Sequence, residues 1–115
     1  MKTFIIVKNQ KDGLHQWKDA PDQVAHLRSL HRHTFFFKTK IAVTHDDREL
    51  EFFMVKDALQ AELDKLPSNL LSSSCEQLAK AMIKVVHELY GDRDVSCTVS
   101  EDNQNAARVE YTTNS

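Results

Sequence analysis

The chain has 115 residues, of which 41% are hydrophobic and 28% charged, and these proportions predict one compact domain with its own core. Its formal net charge of -2 excludes the basic surface that binding to nucleic acid or to an anionic membrane requires. No apolar run is long enough to span a bilayer, and no cleavable signal pattern is seen. We therefore expect a cytoplasmic protein that binds neither nucleic acid nor a membrane. Cys75 and Cys97 lack the spacing of a disulfide framework or a CxxC site and are interpreted as buried thiols.

The first part of the chain predicts a strand and an ordered connection. Thr3–Asn9 alternates around an apolar centre, and the polar, glycine-containing stretch 8–13 indicates a turn after it. The tripeptide at 20–22 is then followed by Val24 and Leu27 at helical spacing. This spacing predicts a short helix or an ordered loop that leads into the next strand.

The clearest element is a second strand over 31–43. Its alternate residues from 33 to 43 are aromatic, aliphatic or small and fall on one face, whereas Lys38 and Lys40 fall on the other. This alternation predicts a half-buried strand. His31 and His33 therefore belong to its inner face.

The middle of the chain predicts a third strand and a first helix. Residues 45–48 indicate a turn, after which Glu49–Val55 would return as a strand and form an antiparallel hairpin with the second strand. An apolar stripe at every third or fourth position runs from Val55 to Leu66. It predicts a helix that Pro67 would end.

A second helix and a closing hairpin account for the rest of the chain. Ser73 and Glu76 have the spacing of a capping box at the start of this helix. Alternation over Val95–Glu101 predicts a fourth strand, and the polar turn at 102–105 leads into a last one. This order of elements predicts an α+β fold, in which an antiparallel sheet carries both helices on one face.

Three histidines are candidates for a metal site. Residues two apart in a strand project to the same side, about 6.6 Å apart along its axis, so the rings of His31 and His33 can both reach one ion. A third ligand would be His15, because it follows a first strand that should neighbour the second. Three neutral imidazoles with an open fourth position are typical of a catalytic or ligand-binding zinc site. The alternative is that His31 and His33 are two partly exposed histidines at the start of a strand.

Several segments resemble, in the correct order, the motifs of one enzyme family. The HGHNY-type strand of the 6-pyruvoyl tetrahydropterin synthase and 6-carboxytetrahydropterin synthase family is similar to HRHTFFFKTKIAV here. The family's other segments are similar to GLHQW, ELEFFMVKDAL, SSCEQLAKAMIKVV and TVSEDNQNAARVEY. Members of this family have the tunnelling fold, or T-fold. The resemblance spans nearly the whole chain and implies that fold, with Zn²⁺ on His15, His31 and His33.

The resemblance also implies a ligand. The family's hairpin glutamate, which anchors the amino-pyrimidine ring of a pterin, is matched here by Glu101, on the same predicted face as Val99 and Cys97. A carboxylate on an inner face needs donors, and adjacent N–H groups of a pterin- or purine-like heterocycle would satisfy both oxygens. The alternative is that Glu101 is a solvated turn residue at the end of the strand.

Two catalytic positions of the family are different in this chain. The position of its proton-handling cysteine is Leu27, and the position of its relay histidine is Lys65, although the preceding aspartate is kept as Asp64. Leu27 cannot gain or lose a proton, as general acid–base catalysis requires. His26 could substitute only if the loop were shifted by one residue. The catalytic residues are therefore unknown, with His26 and Asp64 as the remaining candidates.

Three functions are open at this point. The chain could be a zinc protein that binds a pterin- or purine-like molecule with the parent lyase chemistry weak or lost. It could be an active lyase of the family with a different acid–base set, or an interaction module whose site is empty. The uncovered sheet edges, together with the family's assembly through such edges, lead us to expect a homo-oligomer, a trimer or a hexamer, with the histidines near a subunit interface.

Overall fold

Two long antiparallel strands form the centre of the computed structural model, which describes residues 1–66, 69–71 and 73–113, apart from the side chains of His15 and 69–71. Strand β1 is Thr3–His15 and strand β2 is His31–Val43. They pair along their whole length, and a short 3-10 helix, Asp22–Arg28, lies in their connection. The predicted second strand and the ordered connection before it are confirmed.

The turn predicted at 8–13 is wrong, because these residues continue β1. Gly13 pairs with His33, and the register runs unbroken from Thr3 opposite Val43 to His15 opposite His31. The ladder with β2 satisfies the backbone groups of this polar stretch, and the polar side chains on the other face can remain in water. Strand β1 therefore reaches the end of the sheet where β2 begins.

The strand predicted at Glu49–Val55 is also wrong, because this segment starts a helix. Helix α1 is Phe52–Asp64, and Glu51 is its N-cap. The Glu51 carboxylate accepts hydrogen bonds from the backbone N–H groups of Phe53 and Met54 at 2.9 and 3.1 Å. This cap satisfies N–H groups that have no partner within the helix, which stabilises the helical state over the strand that the aromatic residues favour.

Helix α2 is Cys75–Tyr90, and its capping box lies one residue later than predicted. The Ser74 hydroxyl accepts from the backbone N–H of Gln77, and the Gln77 side chain accepts from the backbone N–H of Ser74. Gly91, with a φ of 86°, follows the helix in a conformation that residues with a side chain rarely adopt. Pro67, predicted to end α1, lies outside the described residues.

A five-stranded sheet in the order β3-β1-β2-β4-β5 supports the two helices. Strand β3, Asn69–Leu71, is parallel to the end of β1, whereas β4, Val95–Glu101, and β5, Ala106–Tyr111, are antiparallel to their neighbours. Both helices pack on one face of this sheet, and the α+β class is as predicted. The largest fully buried side chains come from the sheet and from both helices: Phe35, Thr39, Ile41, Val55, Leu59, Val86, Val95, Cys97 and Val99.

Among the described residues, no helix combines the length and the apolar character that crossing a membrane needs.

Candidate functional site

The register of the two long strands brings the three predicted zinc ligands to one end of the sheet. His15 is the direct partner of His31, and His33 is two residues further along β2. Residues opposite one another in an antiparallel pair share a face, so position 15 lies on the face that carries His31 and His33. The His15 side chain itself is outside the description, and its part in a metal site stays a prediction.

The ring of His31 is oriented by the backbone just before β2. Its Nδ1 lies 2.8 Å from the carbonyl oxygen of Ser29. A carbonyl can only accept, so Nδ1 carries the proton in this contact, and the neutral ring has its lone pair on Nε2. The ring of His33 lies edge-on to it, with centroids 4.8 Å apart.

His33 is oriented by two consecutive carboxylates. Its Nδ1 lies 2.6 Å from Oδ2 of Asp102, and its Nε2 lies 3.5 Å from Oε2 of Glu101. The pKa of Asp102 is held below its usual range, chiefly by the backbone N–H of Thr34 and then by the His33 ring. Asp102 is therefore the ionised acceptor that places the His33 proton on Nδ1.

A tight turn between β4 and β5 places Asp102 at this position. Asp102 and Asn103 have φ values of 54° and 59°, and the N–H of Gln104 donates to the carbonyl of Glu101 at 2.9 Å. Two successive positive φ values define the type I′ turn, which Asp and Asn tolerate better than most residues. The turn is attached to β2 by two hydrogen bonds, since Thr34 donates to Asp102 Oδ1 and Asp102 donates to the carbonyl of Thr34, both at 2.8 Å.

The environment of the two rings fits a zinc site. Histidines that bind a metal almost always donate their other ring N–H to a carboxylate or a backbone carbonyl, which are the partners of His33 and His31. Among the side chains that the structure describes, no three histidine, cysteine, aspartate or glutamate groups form a complete metal site. His15, the third predicted ligand, is not in that set.

A cavity of about 500 Å³ adjoins His31. It lies between the start of β2, the N-terminal end of α2 and the turn that joins β4 to β5. The residues that carry its chemistry are Gln16, Trp17, Leu27, His31, Cys75 and Glu101. The structure thus brings one predicted zinc ligand and the predicted ligand anchor, Glu101, to the same cavity.

Cys75 is a cavity residue that the sequence analysis did not identify. Cys97 is buried as predicted, but Cys75 is only half-buried, and its Sγ lies 3.9 Å from Oε1 of Glu101. Burial, with the negative charges of Glu101 and Glu76, raises the pKa of the Cys75 thiol to about 11. At neutral pH the thiol is protonated and donates to Glu101, so it is a poor nucleophile. The feature of the sequence that could have pointed to Cys75 is its position as the first residue of a capped helix.

The two candidate acid–base residues lie away from this cavity. His26 is exposed on the 3-10 helix, and Asp64 is exposed at the end of α1, where it accepts a hydrogen bond from Gln60 at 3.0 Å. Leu27, at the position of the family's cysteine, lines the cavity. The titratable side chains among the described lining residues are His31, Cys75, Glu76 and Glu101.

Comparison with solved structures gives a likeness over the whole chain. The structure of Caenorhabditis elegans 6-pyruvoyl tetrahydropterin synthase superposes with a TM-score of 0.69, covering 97% of this chain and 97% of that chain at 12% identity. The chain has the T-fold. No protein-family model and no curated protein sequence matches it. At this identity the likeness establishes the fold, and the site must be argued from its own residues.

Proposed function

We propose that this protein binds zinc and a planar pterin- or purine-like molecule in the cavity beside His31, with the lyase chemistry of pterin synthases weak or lost. One observation carries the proposal, namely that His31 and Glu101 line the same cavity while Leu27 occupies its wall. One bound molecule could therefore reach both a zinc ligand and a carboxylate anchor there. It would find no proton-handling group at position 27, because that residue is leucine.

The zinc ion would be held by His15, His31 and His33. Zinc held there would supply a Lewis acid that can polarise an oxygen of a bound molecule. The chain's own residues orient this centre, because Ser29 and Asp102 hold the ring protons of His31 and His33 on Nδ1. Support for the metal is the donor chemistry of these rings and the register that places position 15 opposite His31.

Glu101 would bind the amino-pyrimidine edge of the ligand. Its side chain is about one-third exposed and faces both His33 and the Cys75 thiol. The thiol donates to one oxygen, which leaves further acceptor positions on the carboxylate for two adjacent N–H groups. A planar heterocycle with neighbouring ring and amino N–H groups matches that requirement.

The weak chemistry follows from the groups that the cavity contains. Synthase-type catalysis needs a side chain that gains and loses a proton near neutral pH. Leu27 and Lys65 stand at the family's two proton-handling positions, and the nearest thiol, Cys75, has its pKa raised to about 11. The retained Asp64 and the candidate His26 do not line the cavity.

The test measures metal and ligand binding on the same preparations. Wild-type protein and His26→Ala should each hold one zinc per chain by elemental analysis, whereas His31→Ala should lose most of it, because a ligand is removed. His26 is the matched control, since it is an exposed histidine outside the cavity. Glu101→Gln should weaken binding of neopterin, measured by calorimetry, without lowering the zinc content.

Two results would contradict the proposal. Full zinc content in His31→Ala, or a wild-type protein that cannot be loaded, would exclude the histidine site. Steady-state conversion of dihydroneopterin triphosphate at rates typical of enzymes, about 1 per second or faster, would show that the lyase activity is retained. Loss of that activity in His26→Ala would then identify the residue that replaced the cysteine.

A further inference from the structure

The face of the sheet that carries no helix has an excess of positive charge. Because alternate residues of a strand project to opposite sides, the even-numbered positions of β1, β2, β4 and β5 share this open face. The net charge of -2 argued against a basic surface, and this face is the exception, since most carboxylates of the chain lie elsewhere. In the described strands its charged side chains are five basic and two acidic ones: Lys8, Arg32, Lys38, Lys40, Arg108, Asp12 and Glu110.

Three of these residues, Lys8, Lys38 and Lys40, form a lysine cluster in the middle of the open face. Lys8 of β1 is the direct partner of Lys38 of β2, so their Cβ atoms are about 5 Å apart. Lys40 follows on the same side of β2, about 6.6 Å from Lys38 along the strand. Its ammonium lies 4.2 Å from the centre of the Phe4 ring, and this contact holds one of the three charges in place.

The described carboxylates do not neutralise the lysine cluster. Among the residues that the structure describes, no aspartate or glutamate forms an ion pair with any of the three lysines. The two acidic residues of the open face have other partners, since Glu110 pairs with Arg108 at 2.9 Å and Asp12 accepts from the Thr34 hydroxyl at 2.7 Å. Like charges directly opposite one another destabilise a sheet, and a bound anion would relieve this repulsion.

The spacing of the charges indicates an anion that is both extended and densely charged. Lysine ammonium groups are common partners of phosphate, and the three of the cluster start from Cβ atoms within about 8 Å of one another. Arg108 continues the row of Lys8 and Lys38 across four neighbouring strands, a distance of roughly 14 Å. One phosphate group cannot reach all these charges, whereas several linked phosphates can.

We propose that the lysine cluster binds an oligophosphate, the chemistry shared by inorganic polyphosphate and by the phosphate tail of a nucleotide. The cluster is separate from the candidate zinc and ligand site, because Lys38 and His33 project from opposite faces of β2. The inference therefore goes beyond the proposed function and does not depend on it.

Inorganic triphosphate and orthophosphate are the probes, compared at equal ionic strength on the full-length chain. We expect triphosphate to bind about tenfold tighter or more by calorimetry, because it brings more negative charge to the same lysines. It should also raise the Tm above the value in sodium chloride, since a ligand that binds only the folded state stabilises it. ATP, titrated in parallel, separates the two sources: binding as tight as that of triphosphate supports a nucleotide tail, and no binding supports inorganic polyphosphate.

Variants test the position of the bound anion. Lys38→Gln should weaken triphosphate binding about fivefold or more, the effect of losing one unit charge at contact distance. Without the anion the same variant should unfold at the same Tm or a higher one, because the repulsion with Lys8 is removed. A purely structural lysine would show the reverse, a lower Tm with unchanged binding. Lys84→Gln is the control, since it removes an exposed lysine of α2.

His31→Ala separates this proposal from the zinc site, to which triphosphate could also bind. We expect it to bind triphosphate as the wild type does. Loss of binding in His31→Ala, with binding kept in Lys38→Gln, would place the anion on zinc and overturn the lysine cluster.

Three further results would overturn the proposal while leaving the proposed function standing. The first is triphosphate binding no tighter than that of orthophosphate. The second is triphosphate binding that Lys8→Gln and Lys38→Gln both leave unchanged. The third is tighter binding of single-stranded oligothymidylate than of triphosphate, which would mean that the open face binds a phosphodiester chain instead.

Discussion

Asp102 links the turn between β4 and β5 to the start of β2 through both its side chain and its backbone. Its carboxylate contacts the ring of His33 and the backbone N–H of Thr34, and its own N–H donates to the Thr34 carbonyl. A single residue therefore attaches the turn between β4 and β5 to the start of β2 and sets the tautomer of His33. Residues that orient a metal ligand in this way influence metal affinity without touching the metal.

We predict that Asp102→Asn weakens zinc binding about 10- to 100-fold without unfolding the protein. Asparagine tolerates the positive φ and can still accept from Thr34, but its amide N–H₂ would then face His33 Nδ1. That donor favours the proton on Nε2, the nitrogen that the proposed zinc site needs. Competition with a zinc chelator measures the affinity.

Asp12→Asn is the control for this experiment. Asp12 Oδ1 accepts from the hydroxyl of the same Thr34 at 2.7 Å but is not bonded to His33, so the substitution removes one charge without changing the tautomer. Equal losses of zinc affinity in the two variants would refute the role given to Asp102.

At the scale of elements, helix ends determine where the cavity wall begins. The capping box of α2 uses Ser74 and Gln77, and the two residues that follow Ser74 line the cavity. A shift of the helix start by one residue would rotate Cys75 away from Glu101, because successive residues of a helix point in directions about 100° apart. The cap is therefore part of the site as well as of the fold.

We predict that Ser74→Ala lowers the free energy of unfolding by about 1 kcal/mol, the usual cost of losing an N-cap side chain. Ser73→Ala, the neighbouring residue that the sequence favoured as the cap, should change it by less than about 0.5 kcal/mol. Urea unfolding of both variants measures the difference. A larger effect at Ser73 than at Ser74 would mean that the helix begins one residue earlier.

A second connection between elements predicts a dependence of stability on pH. Glu49, before α1, accepts hydrogen bonds from Thr44, and Arg93, after α2, donates to it at 3.0 Å. The Thr44 hydroxyl and N–H, followed by Arg93, lower the pKa of Glu49 from 4.5 to about 2. A lowered pKa in the folded state means that the ionised form stabilises the protein. This contribution is complete above about pH 4.5 and is lost as the pH falls towards 2.

We therefore predict that Glu49→Gln flattens the decrease in stability between about pH 4.5 and about pH 2, the two pKa values of Glu49 in the unfolded and folded states. Urea midpoints across this range should converge for wild type and variant at the acid end. Glu88→Gln, which removes another glutamate charge from an exposed position, is the control. Parallel curves for wild type and Glu49→Gln would show that Glu49 does not cause the pH dependence.

At the scale of the whole molecule, the sheet has edges that the described chain leaves unpaired. Strand β3 covers only the last residues of β1, and β5 is the other edge strand. The open face of the sheet places Lys8 directly opposite Lys38, and both are exposed. When the open faces of two chains stack, these lysines of one chain would meet the same lysines of the other, and their charges would repel. We therefore expect assembly at the sheet edges.

We predict a homo-oligomer, a trimer or a hexamer, formed by pairing these edges. Sedimentation velocity at micromolar concentration should give a mass three or six times 13.2 kDa. The cavity is lined by Ala106 and Ala107 at the start of β5, so edge pairing would place a second chain close to the cavity. A monomer at this concentration would exclude the assembly.

The sequence by itself determined the elements that depend on local periodicity. Alternation along 31–43 and 95–101 predicted β2 and β4 with the correct inner faces, because one face of each strand is buried against helices. The apolar stripe from Val55 predicted α1 in the same way. The family resemblance, carried by short motifs, predicted the T-fold that the comparison establishes.

Only the tertiary structure decided what these elements bring together. Local composition predicted a turn at 8–13, yet pairing with β2 keeps this stretch extended and carries position 15 to His31. The aromatic residues of 52–55 favoured a strand, yet the cap by Glu51 and the burial of Val55 select a helix. Register and burial involve partners that are distant in the chain, and no local pattern encodes them. For the same reason the contact of Cys75 with Glu101, and the cavity that both share with Trp17, could be found only in the folded chain.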